Sequence, residues 1–214
     1  MPKSKIKKMN AKTKGKKPEE VVKRVEDVIL KIAIEIAKHG EGALFVIGEK
    51  VSYAHLIKHK IKKVNVFQNG AEKLLKGLAV IDGAMIISPK GELVDYGVLI
   101  KKTSPFLGYG TRHAAAITAS KNNNVSILVS EEERKVKVFK NGRYIMQIDA
   151  LQKNVTKRVS SISEMLESAG AGVIGTVGAA TLIPALGITL IPGIIVFGGS
   201  YYAIKSLIEG TSKN

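Results

Sequence analysis

Apolar residues recur at helical spacing through Val21, Val22, Val25, Val28, Ile29, Ile32, Ala33 and Ile36, which predicts an amphipathic helix over residues 18–38 that His39-Gly40 stops. The period then shortens. Residues 43–47 form a brief apolar run suited to a buried strand, and the largely apolar run 64–67, which ends at Asn69-Gly70, predicts a second. Residues 71–78 predict a helix, and 80–88 and 93–100 predict strands joined by the turn Pro89-Lys90-Gly91. A helix over 111–120 and a buried strand over 125–130 follow. A hairpin over 135–148 turns at Asn141-Gly142, a dipeptide suited to a type I′ turn because both central residues need positive φ. This order of elements predicts an α/β fold with a mixed central sheet flanked by helices.

The two ends of the chain break that pattern. Residues 1–17 hold eight lysines, no acid, and almost nothing apolar beyond Met1, Ile6 and Met9, so they predict a disordered polybasic arm that is also not a secretory leader. Between Glu167 and Lys205 no residue is charged. Ala171, Gly175 and Ala179 recur at every fourth position there, a smooth strip suited to close helix packing in lipid. The run predicts a C-terminal apolar helical hairpin, bent near Pro184 and Pro192 and inserted in the membrane; its length also allows one tilted span, and the other reading is a buried, glycine-rich core hairpin or an oligomer interface. The expected organisation is an arm over 1–17, an α/β domain over 18–150, a connecting helix over 151–169 and a membrane-inserted segment over 170–207. Lys153, Lys157 and Arg158 precede the apolar run and Lys205 and Lys213 follow it. Positive flanks prefer the cytosol, which places the protein at the cell membrane with its α/β domain facing the cytoplasm.

Composition narrows the chemistry. The 214 residues contain no cysteine, which removes thiol nucleophiles, Cys-ligated zinc and disulfides, and leaves oxygen and nitrogen groups with a hard metal ion. The net charge of +16 would suggest a polyanion, but half of it sits in the arm, and with 5% aromatic residues and no tryptophan there is little on which bases can stack. A specific nucleic-acid partner is therefore not expected, whereas anionic lipid fits the arm. Gly170, Gly172 and Gly175 spell a dinucleotide fingerprint, but a polar helical stretch precedes them and no acid follows until Glu209. His55 and His59 have zinc-helix spacing without the glutamate that a zinc protease needs after the first histidine.

Three places could carry a reaction. Asp82 stands inside an apolar run, with Ala79-Val80-Ile81 before it and Met85-Ile86-Ile87 after it. A carboxylate buried there needs a partner: either a backbone N–H or basic side chain, or a cation or bound hydroxyl whose approach Gly83 allows. Gly108-Tyr109-Gly110-Thr111-Arg112-His113 leads into an alanine-rich helix, and glycines, a hydroxyl, helix-start amides and Arg112 together suit phosphate, though such a start also serves as a plain cap. Ser130-Glu131-Glu132-Glu133 ends a strand with three acids, a solvated turn or a collector of a divalent cation.

At these three places the chain resembles the diadenylate cyclase domain family, which makes cyclic di-AMP. The family's Asp-Gly-Ala is Asp82-Gly83-Ala84 here; its Gly-Thr-Arg-His-Arg-Ala-Ala is Gly110-Thr111-Arg112-His113-Ala114-Ala115-Ala116; its Ser-Glu-Glu is Ser130-Glu131-Glu132. Upstream, Gly42-Ala43-Leu44-Phe45-Val46-Ile47 is similar to the family's Gly-Ala-Leu strand, so the resemblance covers about residues 20–148. It implies condensation of two ATP into cyclic di-AMP with loss of two pyrophosphates. It also implies a catalytic group of Asp82, Gly83 and Ala84, and phosphate binding by Gly110, Thr111, Arg112, His113 and Ser130. Glu131 would help hold a manganese or magnesium ion, and the competent species would be a homodimer or higher oligomer with facing sites.

One departure bears on that reading: Ala114 stands where the family has its second arginine, and Glu133-Arg134 replaces a more usual glycine. Lys101 and Lys102, between the two motifs, are candidates to replace the cation. Two alternatives follow, a nucleotide-binding module that no longer cyclises and a membrane-associated basic scaffold.

Overall fold

A computed structural model of the chain describes residues 17–56, 63–103, 110–170, 182–183 and 187–190. The first helix, α1 (Pro18–His39), runs with Glu19 and Glu20 in its first turn and Lys38 and His39 in its last, charges that oppose the helix dipole. Gly40 ends it at φ 73°, where its N–H and that of Glu41 return to Ala37 O and Ile36 O. This left-handed position is one a glycine takes without strain.

The remaining elements are β1 (Ala43–Ile47), β2 (Tyr53–His55), α2 (Ala71–Ala79), β3 (Ala84–Ile87), β4 (Leu93–Ile100), α3 (Thr111–Ala119), β5 (Val125–Ser130), β6 (Lys135–Lys140) and β7 (Arg143–Asp149), then a 3-10 turn over Val155–Arg158, α4 (Val159–Gly170), β8 (Leu182–Ile183) and β9 (Ile188–Leu190). The strands form one sheet in the order β2-β4-β3-β1-β5-β6-β7-β9-β8. Among the described residues only β1 and β3 pair in parallel, so the sheet is mixed as expected.

The sheet separates two apolar layers because side chains alternate along each strand. Phe45, Ile47, Met85, Ile127 and Val138 face Ile29, Leu75 and Ile162 of α1, α2 and α4; Leu44, Val46, Ile86, Leu128 and Phe139 face Ala116 and Ala119 of α3. Each fully buried Ile, Leu or Phe contributes about 1.5–3 kcal/mol. The small residues of α3 let that helix lie close to β1 and β5, which brings its N-terminus to the sheet end where β1 and β3 begin.

Several elements depart from the pattern. Residues 64–67 form a turn with a single bridge, Asn65 to Glu92, because Asn65 Oδ1 accepts the Phe67 N–H and closes the chain locally. The expected strand over 80–88 begins only at Ala84: Ile81 N–H returns to Leu78 O, and Gly83 stands at φ 101°, outside extended geometry. Beyond Gly170, where α4 ends, the apolar C-terminal run is not helical where it is described. Leu182–Ile183 and Ile188–Leu190 are antiparallel strands turned at Gly187 (φ 62°), and β9 pairs with β7 through Met146, Gln147 and Ile148. The open edge of β7 offers hydrogen bonds that this segment takes, and Ile188 is buried in the core. No helix among the described residues is long and apolar enough to cross a membrane. The arm at 1–16, the strip Ala171, Gly175 and Ala179, and the fingerprint glycines after Gly170 lie outside the described residues.

Candidate active site

Strand register gathers the motifs. Parallel pairing of Phe45 with Met85 sets the starts of β1 and β3, preceded by Gly42 and by Asp82-Gly83, at one end of the sheet. Antiparallel pairing of Ala43 with Val129 brings the end of β5, hence Ser130 and Glu131, to the same end. Antiparallel pairing of Ala84 with Val98 does so for Lys101 and Lys102 beyond β4. The start of α3 completes the group. Arg112 Nη1 lies 3.7 Å from Glu131 Oε2, both side chains half exposed, and a Cβ added at Gly42 would stand 2.6 Å from that nitrogen and 3.0 Å from that oxygen. Gly42 therefore leaves the space that this ion pair fills.

Asp82 is exposed on the loop entering β3, with Oδ1 accepting the Gly83 N–H at 3.0 Å. The expectation of a carboxylate buried within a strand is corrected: the run breaks at Gly83, and solvent carries the charge. Gly83 also has a structural reason. At φ 101° its missing side chain would point at Val98 N and O, both 2.8 Å from a Cβ there, so the glycine is required by the close passage of β4. Ala84 is buried beside it.

Gly110 precedes α3 in an extended conformation with open space where a Cβ would be, and accepts the N–H groups of His113 and Ala114 through its carbonyl. Thr111 and Arg112 are exposed at the helix start, where first-turn amides point outward. Gly108 and Tyr109 lie outside the described residues. Ala114 is 6% exposed, so no open gap stands where the family has its arginine. Ser130 Oγ accepts the Glu133 N–H and so braces the acidic turn.

His113 is half-buried. Its Nε2 meets Lys137 Nζ at 3.1 Å, and its ring packs edge-on to Phe139. Burial above all, and then the Lys137 charge, hold the His113 pKa below the usual imidazole value, with Glu133 opposing them. Glu133 pairs with Lys137 and lies 3.4 Å from Lys135, and the hydrogen bond from Lys137 is the main reason its carboxyl stays below the ordinary range. The sequence pattern missed Lys137: in the alternation Lys135-Val136-Lys137-Val138 it reads as solvent-facing, yet its side chain is 5% exposed.

His55 is on β2, and its Nε2 lies 2.7 Å from Asp95 Oδ2, a buried carboxylate that also accepts the Tyr96 N–H. Burial, then Asp95, pushes the Tyr53 phenol up. The helical histidine pair is thus corrected for His55, while His59 lies outside the described residues. A cavity of about 530 Å³ at the opposite end of the sheet, bordered by Gly48, Asn124 and Lys140, carries none of the motif residues. Among the described residues no three acidic or histidine side chains cluster as a metal site.

Residues 31–144 match the family model described as DAC, DisA bacterial checkpoint controller nucleotide-binding. A diadenylate cyclase of Methanocaldococcus jannaschii is 31% identical over 146 residues, covering 61% of this chain and 47% of its own. A diadenylate cyclase of Haloferax volcanii is 28% identical over 137 residues, covering 56% and 51%. The chain spans about half the length of these relatives. A double-mutant structure of DacA from Staphylococcus aureus superposes with a TM-score of 0.42 at 21% identity, covering 56% of this chain and 84% of that one.

Proposed function

Because this chain belongs to the DAC family, we propose that it is a diadenylate cyclase, joining two ATP molecules into cyclic di-AMP and releasing two pyrophosphates. The observation that carries the reading is the convergence at one sheet end of Asp82, the start of α3 and the Arg112–Glu131 pair around Gly42. In each half-reaction a 3′-hydroxyl attacks the α-phosphate of the other nucleotide, and the bond to pyrophosphate breaks. Such a transfer needs positioning and charge neutralisation more than covalent help from the protein. Asp82, exposed and anchored through Oδ1 to its neighbouring N–H, orients the attacking hydroxyl and accepts its proton. Thr111, Arg112 and His113, with the first-turn amides of α3, hold the phosphates.

Glu131 and Asp82, at the same end of the sheet, would be the protein's carboxylates for a magnesium or manganese ion, which at nucleotide sites needs only one or two of them beside the substrate phosphates. Bound there, the ion would neutralise charge on the phosphates. Since two nucleotides must face each other and this end of the sheet presents one set of phosphate-binding candidates, a homodimer with facing sites is the competent form. The polybasic arm and the apolar residues beyond β9 are proposed to hold the protein at the membrane, with the cyclase domain in the cytoplasm. Incubation of the purified chain with ATP and manganese, followed by mass analysis, tests the central claim: cyclic di-AMP is expected. ATP binding without product would instead favour a nucleotide-binding module, and no ATP binding with steeply salt-dependent lipid attachment would favour the scaffold.

A further inference from the structure

A buried lysine on a strand needs a reason. Lys137 sits in the middle of β6, paired with Leu128 of β5 and Gln147 of β7, and its side chain is 5% exposed. It lies on the α3 face of the sheet, two residues before Phe139, whose ring packs in the apolar layer there. A leucine at this position would add to that layer with no charge to desolvate, so packing alone does not call for lysine. Two groups meet its ammonium: the Glu133 carboxylate, four residues back across the turn, and Nε2 of His113 at 3.1 Å. An ammonium has three donors and no acceptor, so the imidazole atom facing it must offer a lone pair. A neutral imidazole whose Nε2 accepts carries its proton on Nδ1.

The geometry points to Lys137 as a positioning residue of the phosphate site: anchored by Glu133, it donates to His113 Nε2, fixing the ring as the Nδ1–H tautomer and setting its orientation at the start of α3. This deepens the cyclase reading and rests on it for the consequence to turnover, while the tautomer itself is independent of any substrate. The edge-on contact with Phe139, at 6.3 Å between centroids and 83° between planes, holds the other side of the ring. Phe139 is in turn stacked on Tyr144 at 4.9 Å. His113 is thus held between a cation and an aromatic edge.

The test uses the full chain with Lys137→Met and Lys137→Gln. Met keeps the length and apolar stem and leaves Glu133, which is 41% exposed, to solvent; Gln keeps a donor without the charge. Nitrogen-15 spectra of His113 at neutral pH, without nucleotide, read the tautomer. Wild type should show an unprotonated Nε2, Lys137→Met a mixture of tautomers, and Lys137→Gln a return toward the wild-type signal. With ATP, Lys137→Met should lose roughly 10- to 100-fold in kcat, the usual range for removing an outer partner that orients an imidazole, with KM changed less, and Lys137→Gln should recover part of the loss. A Lys137→Met protein with wild-type His113 spectra and wild-type kcat, whatever its melting temperature, would overturn the proposal. Wild type that yields no cyclic di-AMP would refute the cyclase reading alone; the spectra and the ATP affinity of the same variants would still decide on Lys137.

Discussion

Gly42 offers the sharpest separation of site from scaffold. In Gly42→Ala the new methyl would stand 2.6 Å from Arg112 Nη1 and 3.0 Å from Glu131 Oε2, both far ends of long, half-exposed side chains. They can swing away at little cost. The exposed ion pair is worth about 0–1 kcal/mol, and replacing glycine where φ is not positive returns about 0.4–1 kcal/mol through the unfolded chain. The melting temperature should therefore move by no more than about 2–4 °C in either direction. Activity should not be so tolerant. If Arg112 holds phosphate as proposed, displacing it would remove a charge-assisted hydrogen bond worth about 1.5–3 kcal/mol, a fall of roughly 10- to 150-fold in kcat/KM. Thermal melts and initial rates of cyclic di-AMP formation measure the two effects. Wild-type activity in a normally stable Gly42→Ala protein would show that Arg112 does not act from the position it holds beside Gly42.

Gly83→Ala should do the reverse, because its methyl would strike the β4 backbone at a strained positive φ; a loss of about 1–3 kcal/mol, several degrees in melting temperature, is expected. Asp82→Asn should abolish cyclisation while ATP affinity stays within about tenfold, and equal activity in the variant would remove Asp82 from the reaction. Arg112→Ala should weaken binding and turnover together, since a phosphate clamp acts in ground and transition states alike. The pKa of His113 is held below its unfolded value, so stability should be fully present above the ordinary histidine value of about 6.5 and fall as pH drops below it toward the folded pKa. His113→Gln should flatten that slope in chemical denaturation measured across this range.

The elements most legible in the sequence were those whose periodicity and punctuation agreed. The heptad-like spacing from Val21 to Ile36 with Gly40 behind it, the short run 43–47 and the Asn141-Gly142 turn all appear where the pattern put them, the turn with φ 52° and 71°. Apolar character without the right local geometry misled. Val80 and Ile81 are as apolar as a strand, but Gly83 must pass under β4, and 64–67 closes on the Asn65 side chain. The site divides in the same way. Motif residues Asp82, Arg112, His113 and Glu131 were visible as types in order, whereas Gly42 and Lys137 matter through neighbours 70 and 24 positions away in sequence. No local window holds that information, since it is created by the pairing of β1 with β5 and by the packing of α3 on the sheet.

That division also explains how the domain carries a strongly polar end at low cost. Arg112 and Glu131 stay half in water and Asp82 is exposed, so little desolvation opposes their placement. Order at this end comes from beneath, where β1 and β3 are apolar on both faces and α3 is held by Ala116 and Ala119. Lys137 is the exception that links the layers: a charge inside the apolar face, facing a ring at the edge of the polar one. Its burial costs stability unless Glu133 accompanies it, which ties the acidic turn after β5 to the orientation of a histidine on a different element. A substitution in that turn at Glu133 would therefore reach the proposed phosphate site without touching it, through Lys137 and then His113.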